Sequence, residues 1–299
     1  MFKELVRRFA SADIVRKFIY TNVLVYIILV LIGVFSVLFN RPSLVATISS
    51  WFELPASPIL LAHRPWTVFT YMFMHGGLMH IVWNMFALYM FGRIFLDFFS
   101  IRHFVGVYLL GGLFGALFFV LAYNLFPYFA GVVDVSHLVG ASAAVLAVVA
   151  AAAVRSPEYR INMLFFGSIK LSTFAIVTVC ISVLMLSGNN AGGNFAHLGG
   201  ALGGYLFALL LGKGVDLTDI LCRPVDWCRS ALGKLKSLKR KKRKFTYSPG
   251  GKHGADYEHN ANRKAAEAEV DAILEKIKKG GYASLSEEEK KRLFDASSK

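Results

Sequence analysis

The chain reads as an all-α polytopic membrane protein with six spans and a small helical module after the last of them. Three observations predict this. Of its 299 residues, 56% are hydrophobic, and mean hydropathy is +0.52, whereas a soluble domain is nearer 45–50% apolar. Several apolar stretches reach the roughly 20 residues that a bilayer crossing needs. The net charge of +14 is unevenly placed, and its densest run, Lys234–Lys244 (KLKSLKRKKRK), follows the last apolar stretch. Basic residues there fit a juxtamembrane tail near anionic lipid better than a nucleic-acid surface. Nucleic acid is therefore not an expected partner.

The first span is expected at about Phe18–Leu38. It follows a short basic N-terminus, is too long for a signal-peptide core and lacks a convincing cleavage site, so it reads as retained. The second runs at about Leu78–Phe99, the third at about Phe104–Leu125 and the fourth at about Gly140–Val154. The fifth covers about Leu171–Leu186 and the sixth about Phe195–Leu211. The fourth and fifth are short for a hydrocarbon core of about 30 Å, which suits helices enclosed by others.

Positive charge orients the bundle. Lys3, Arg7, Arg8, Arg16 and Lys17 precede span one, and Arg93 and Arg102 flank the turn between spans two and three. Arg155, Arg160 and Lys170 occupy the loop between spans four and five. The alternate loops Asn124–Val139 and Ser187–Asn194 carry no Lys or Arg, and the long Asn40–Gly77 loop has only Arg41 and Arg64. Both termini are thus expected in the cytoplasm. Trp51, Phe52, Trp66 and Phe69 in the long loop suggest a segment lying in the membrane interface.

The domains expected are a cytoplasmic N-terminus (1–17), a six-span domain (18–212), a basic segment with linker (213–262) and a small cytoplasmic helical module (263–299). Ser248–Gly254 (SPGGKHG) has linker composition. Val270, Ile273, Leu274 and Ile277 recur on one helical face. Ser286 and Glu289 form a capping box before a helix with Leu293 and Phe294. Cys180, Cys222 and Cys228 show neither a disulfide framework nor zinc spacing.

Polar groups at membrane depth are costly, so each needs a reason. His80 and Asn84 share one face at the start of span two, with His75 just before them. Ser142 begins span four, and His197 is expected in the first turn of span six. With the topology above, spans two, four and six start on the outer side, so His80, Ser142 and His197 lie at similar depth and Asn84 one turn deeper. Helix N-termini there present unpaired N–H groups, suited to a developing oxyanion. Gly199, Gly200, Gly203 and Gly204 give span six two small-residue ridges, and span four is rich in alanine. Such faces permit close approach, within which Ser142 and His197 could meet as a nucleophile and its base. No carboxylate lies near either, so the pair would be a dyad.

Each element has a plainer reading. A lone serine in a small-residue run is ordinarily packing, and a lone intramembrane histidine can simply bond a neighbouring helix. A metal site from His75, His80 and His197 lacks HExxH-type spacing. No metal or cofactor is expected. A transporter would place its polar groups nearer the midplane on broken helices.

Taken together, the motifs resemble the rhomboid family of intramembrane serine proteases, over roughly Phe18–Leu211. GAS resembles the family's GxS motif through Gly140 and Ser142. AHLGGALGG resembles AHxxGxxxG through Ala196, His197, Gly200 and Gly204. HGGLMHIVWN resembles HxxxxHxxxN through His75, His80 and Asn84. The resemblance implies Ser142 as nucleophile, His197 as general base and acid, and His80, Asn84 and the Ser142 N–H as the oxyanion hole. Gly140 would let substrate backbone approach. Transmembrane proteins entering from lipid, by spans two and five and the first outer loop, would be the substrates, with membrane lipids around the basic tail. A bacterial inner-membrane location follows from the same likeness. The rival it leaves is a pseudoenzyme that binds membrane clients without cutting them. Three positions depart from the family pattern. Leu146 stands where an aromatic often covers the catalytic imidazole, which would leave Phe195 or another ring to substitute. Thr67 follows Trp66 where the family often has Trp-Arg, and Ala143 stands where Gly often follows the serine.

Overall fold

The computed structural model describes residues 2–163, 167–223, 226, 268–278, 280–281 and 284–297. Two compact units divide the chain, Met1–Gly233 and Lys234–Lys299. In the first, α1 (Phe2–Ser11) precedes α2 (Ile14–Leu38), whose N-cap Asp13 accepts a hydrogen bond from the Arg16 N–H at 2.8 Å. The long connection holds α3 (Ser43–Ser50), α4 (Pro58–His63) and α5 (Thr67–Thr70). Then follow α6 (Leu78–Phe98), α7 (Ile101–Leu125), α8 (Ser142–Arg155), α9 (Leu171–Leu184) and α10 (Ala191–Leu211). Helices α2, α6, α7 and α10 are long and apolar enough to cross a membrane, and α8 and α9 are shorter apolar helices.

Helix α8 explains the layout. Its 14 residues span about 21 Å at 1.5 Å per residue, less than the hydrocarbon thickness. It need not meet both surfaces, because every residue from Ala143 to Ala153 is buried by α6, α7, α9 and α10. Glycines on its two main neighbours make this enclosure possible. A methyl group at Gly111 of α7 would strike the Ala147 side chain, and one at Gly115 would come within 2.6 Å of Ala143 Cβ. On α10, methyls at Gly200 and Gly204 would run into the carbonyl oxygens of Ala143 and Ala147. Ala143 and Ala147 are thus clasped on both sides, each between a glycine of α7 and one of α10. The span-six ridge on the alanine face is as expected. The matching ridge on α7 lay unread in the sequence, although Gly111 and Gly115 have the same four-residue spacing.

Several boundaries differ from the sequence expectation. Helix α10 begins at Ala191, so His197 sits in its second turn rather than its first. Gly192, Gly193 and Asn194 read as loop by propensity, but packing overrides it: Gly192 lies against Phe119, and Asn194 donates to the Met185 carbonyl at 2.8 Å. Helix α8 begins at Ser142 rather than Gly140, whose φ of +124° is not helical. The basic segment after α8 is not a plain loop. It forms the antiparallel hairpin β3 (Arg160–Met163) and β4 (Gly167–Lys170), paired from Arg160↔Lys170 to Met163↔Gly167.

The first long connection is ordered by contacts with the bundle. Its β1 (Leu54–Pro55) pairs with β2 (His137–Leu138), joining it to the chain just ahead of α8. Tyr71 is buried, and its hydroxyl donates to the Gly112 carbonyl at 2.7 Å. Trp66 stacks on Trp51, with ring centroids 6.0 Å apart, and its indole N–H donates to the Trp51 carbonyl. The Arg64 guanidinium covers Trp51 at 4.6 Å. Thr67 follows Trp66, and the cation on this aromatic pair comes instead from Arg64, two residues before the tryptophan. Trp51, Phe52, Ile59 and Phe69 stay exposed, an apolar surface of the kind an interfacial segment presents.

Beyond α10 the chain turns back onto the start of α7. Arg102 bonds Asp216, Asp219 and Asp226, and His103 Nε2 lies 3.3 Å from Asp216. Burial disfavours the Asp216 carboxylate, but hydrogen bonds from Thr218, with His103 and Arg102 nearby, outweigh it and hold its pKa below the usual value. Thr218 itself fills the space left by Gly106.

In the second unit, residues 268–278 and Glu287–Ser297 are helical. Of the expected apolar face, Ile273 is buried and Val270 and Ile277 are half-buried, while Leu274 is exposed. The capping box forms: Ser286 N–H donates to Glu289 Oε2 at 2.8 Å, and Glu289 N–H to Ser286 Oγ at 3.3 Å. The Lys234–Lys244 run, Ser248–Gly254 and Cys228 lie outside the described residues.

Candidate active site

One cavity of about 380 Å³ is lined by His80 and Asn84 from α6, Ser142 from α8 and His197 from α10. The other ends of these three helices also share a cleft, lined by Phe98, Arg155 and Leu211 among others. So α6, α8 and α10 run the same way, and their N-terminal turns meet. The rest of the lining is mostly apolar: Met79, Trp83, Phe91, Val145, Leu146, Val149, Phe174 and Thr178 contribute. Such a pocket, apolar with a few convergent polar groups, is the usual form of a binding site.

Ser142 is the first residue of α8, and the first intrahelical bond of that turn runs from Val145 N–H to the Ala141 carbonyl at 2.9 Å. The N–H groups of Ser142, Ala143 and Ala144 precede it and have no intrahelical acceptor. They point the positive end of α8 toward the cavity. The turn before Ser142 is held by the Gly140 N–H, which donates to the Tyr71 carbonyl at 3.0 Å.

Gly140 has a local reason to be glycine. At φ +124°, a Cβ would stand 2.7 Å from His80 Nε2 and 3.7 Å from Ser142 Oγ. The His80 ring therefore rests on the bare Cα of Gly140, on the same side as the serine hydroxyl. Here it is a histidine of the bundle itself that makes the close approach. Asn84 is buried, and its amide donates to the His80 carbonyl one turn earlier at 2.9 Å. His75 packs edge-on against His80, with ring centroids 5.2 Å apart. It is 7% exposed, and neither ring nitrogen has a full hydrogen bond. Burial, then the neighbouring His80, push its pKa down to about 4.

His197 differs from expectation in its surroundings. Among the described residues its hydrogen bond goes not to Ser142 but to Ser182 of α9, with Nδ1 and Oγ 3.4 Å apart. Among the described residues no aromatic ring stacks on it. Phe195 stacks instead on Phe126 at 5.7 Å and meets Phe129 edge-on, so it does not take the part of the absent aromatic. Leu146 is buried in the cavity wall. The α9 residues Phe174, Thr178 and Ser182 went unread in the sequence. Their signal was the pair of hydroxyls at Thr178 and Ser182, four residues apart in the apolar stretch that follows Ser172 and Thr173. Among the described residues, no three His, Cys, Asp or Glu side chains converge as metal ligands.

Comparison with known proteins adds two matches. The Rhomboid domain family model matches residues 62–214, and the Family of unknown function (DUF6576) matches residues 255–299. No curated protein matches the chain. Residues 62–214 are about half of the chain and contain α6 to α10 with the whole cavity. This chain is an integral membrane protein of the rhomboid family, an intramembrane protease or a pseudoprotease.

Proposed function

We propose that this protein is an intramembrane serine endopeptidase that cuts transmembrane segments of other membrane proteins. The observation that carries the reading is the shared cavity: a serine at a helix N-terminus, a histidine and two further polar side chains converge inside an otherwise apolar wall. Ser142 Oγ attacks the scissile carbonyl while His197 takes its proton. The oxyanion is received by the Ser142 N–H, His80 and Asn84. His197 then protonates the leaving amine, and water, activated by the same base, releases the acyl group from Ser142.

The apolar lining favours a lipid-born substrate. Trp83 and Met79 on α6 are exposed, and Phe91 of α6 stacks on Phe174 of α9 with centroids 4.8 Å apart. A helix arriving from lipid would pass between these two spans. The placement of Lys and Arg supports a site near the outer face and cytoplasmic termini; a bacterial inner membrane as location rests on the family resemblance alone. The basic run after the last span would lie on anionic lipid.

A second reading is favoured by one observation: Ser142 and His197 share a cavity without a hydrogen bond between them. A pseudoprotease that holds clients would tolerate that. Resting enzymes also show long catalytic contacts that tighten with substrate. The experiment is cleavage of a transmembrane test substrate in detergent and in liposomes, with Ser142→Ala and His197→Ala beside the wild type. The protease reading requires both variants to be inactive. A wild type that binds the substrate, leaves it intact and fails to react with a fluorophosphonate sinks it.

A further inference from the structure

We infer that Ser182 is a positioning residue for the His197 imidazole, taking over from α9 the support that an aromatic at position 146 does not give here. The inference rests on the protease reading and adds a third side chain to its machinery.

Ser182 is 2% exposed, so water does not compete freely for its hydroxyl. It has one proton to give, and the Thr178 carbonyl one turn back lies 3.0 Å away as acceptor. The remaining lone pairs face His197 Nδ1 at 3.4 Å. A hydroxyl that donates to a carbonyl can only accept from the ring, so Nδ1 carries the hydrogen. Nε2 is then left with its lone pair as the only nitrogen able to take a proton from Ser142. The second ring nitrogen's partner sets the tautomer in this way generally.

The register that brings the two together is fixed independently. Asn194 lies three residues before His197, and Met185 three residues after Ser182. The Asn194 amide donates to the Met185 carbonyl at 2.8 Å. On antiparallel helices these contacts are one turn apart, so the second holds the first in place. Asn194 is itself buried. The arrangement answers the departure at Leu146: that side chain packs in the cavity wall but offers no ring face to the imidazole.

The plainer reading is that Ser182 only satisfies its own helix, as Thr178 does by donating to the Phe174 carbonyl at 2.8 Å. Serines in membrane helices commonly bond back in this way. Under that reading, Ser182→Ala loses nothing catalytic, since alanine suits a helix at least as well. The two readings differ in what the hydroxyl does for His197.

The experiment uses the full chain in detergent, with Ser182→Ala, Ser182→Thr and Ser182→Val beside the wild type, Ser142→Ala and His197→Ala. Thr and Val have nearly the same shape, so their difference reports the hydroxyl alone. Kinetics of substrate cleavage and the rate of fluorophosphonate labelling are measured, together with the thermal midpoint of each variant. Losing the group that orients a catalytic histidine through a carboxylate costs about 10⁴-fold. A neutral hydroxyl at 3.4 Å carries less, and the expected loss for Ser182→Ala is about 10- to 100-fold. That loss falls on kcat with KM little changed, and labelling slows in parallel. Ser182→Thr recovers at least part of the rate, and Ser182→Val does not. Thr and Val of equal activity, or Ala with wild-type kcat and labelling, overturn the inference while leaving the Ser142–His197 reading intact. If the wild type labels but cuts no substrate, labelling rates alone decide it by the same criteria. A wild type that neither cuts nor labels, or activity that survives Ser142→Ala or His197→Ala, overturns both.

Discussion

Replacing Gly140 by alanine tests the tightest joint of the site. The added methyl meets two obstacles. Its backbone has φ +124°, a region that L-residues avoid, at a strain of about 1–3 kcal/mol. Its Cβ would also stand 2.7 Å from His80 Nε2, where ordinary contact begins near 3.4 Å. The imidazole, or the turn before Ser142, must therefore yield by about 0.7 Å. Displacements near 1 Å at reacting groups cost on the order of 10²-fold in rate. The expected result is a destabilisation of about 1–3 kcal/mol and a fall in cleavage of about 10- to 100-fold.

A double-mutant cycle separates the two obstacles. Ser142→Ala and His197→Ala do not bear on it, because the readout is unfolding in detergent, which needs no catalysis. If the His80 ring lies on Gly140, removing the ring relieves part of the cost. Gly140→Ala combined with His80→Ala should then be less destabilised than the two single changes added together, by about 0.5–3 kcal/mol. Gly131→Ala is the control, since it lies in an exposed turn with nothing within 4 Å of its would-be Cβ, and it should stay within about 0.5 kcal/mol of wild type. Additivity at Gly140 and His80 within about 0.5 kcal/mol, or a Gly140→Ala protein with wild-type stability and cleavage, refutes the close approach.

Other expected outcomes follow from the same structure. Gly204→Ala drives a methyl into the Ala147 carbonyl, which is backbone and cannot rotate away, so it should cost about 1–3 kcal/mol or more; unfolding in detergent like that of wild type counts against the clasp on α8. His75 has a folded pKa near 4 against about 6.5 when unfolded, so it favours the folded state fully above pH 6.5 and progressively less as pH falls toward 4, by up to about 3 kcal/mol. That loss should be smaller in His75→Gln when midpoints are compared from pH 7 to pH 4, and identical profiles contradict it. Arg102→Ala removes the cation shared by Asp216, Asp219 and Asp226, so amide exchange over residues 215–223 should quicken without a change in α8; unaltered exchange there means the clamp holds nothing.

The apolar spans were legible because the signal that makes a span is summed over about 20 residues, and one misread residue changes little. Ends were less legible for the opposite reason. Whether Gly192, Gly193 and Asn194 join α10 depends on three neighbours and on contacts with Phe119 and Met185, none adjacent in sequence. The hairpin β3–β4 was hidden for a related reason. Two strands of four residues carry no period long enough to stand out against a basic loop.

The site shows how far spacing alone can reach. His80 and Asn84 are tied by a four-residue interval, and the sequence places both on one face. Ser142 and His197 are 55 positions apart in the chain, and they line one cavity on helices that approach closely where alanines on α8 face glycines on α10. Small residues mark where backbones approach, so they also mark where distant polar groups can be brought together. What they do not mark is the support behind a polar group. Ser182 sits on α9, whose sequence lacks such a ridge, and its hydroxyl looks there like that of Thr178. The two are told apart by what faces each across the helix pair. Ser182 faces a ring nitrogen on a register fixed by Asn194. A side chain that supports a polar group of the cavity can thus be invisible to motif reading when a span's own backbone already accounts for its hydrogen bond.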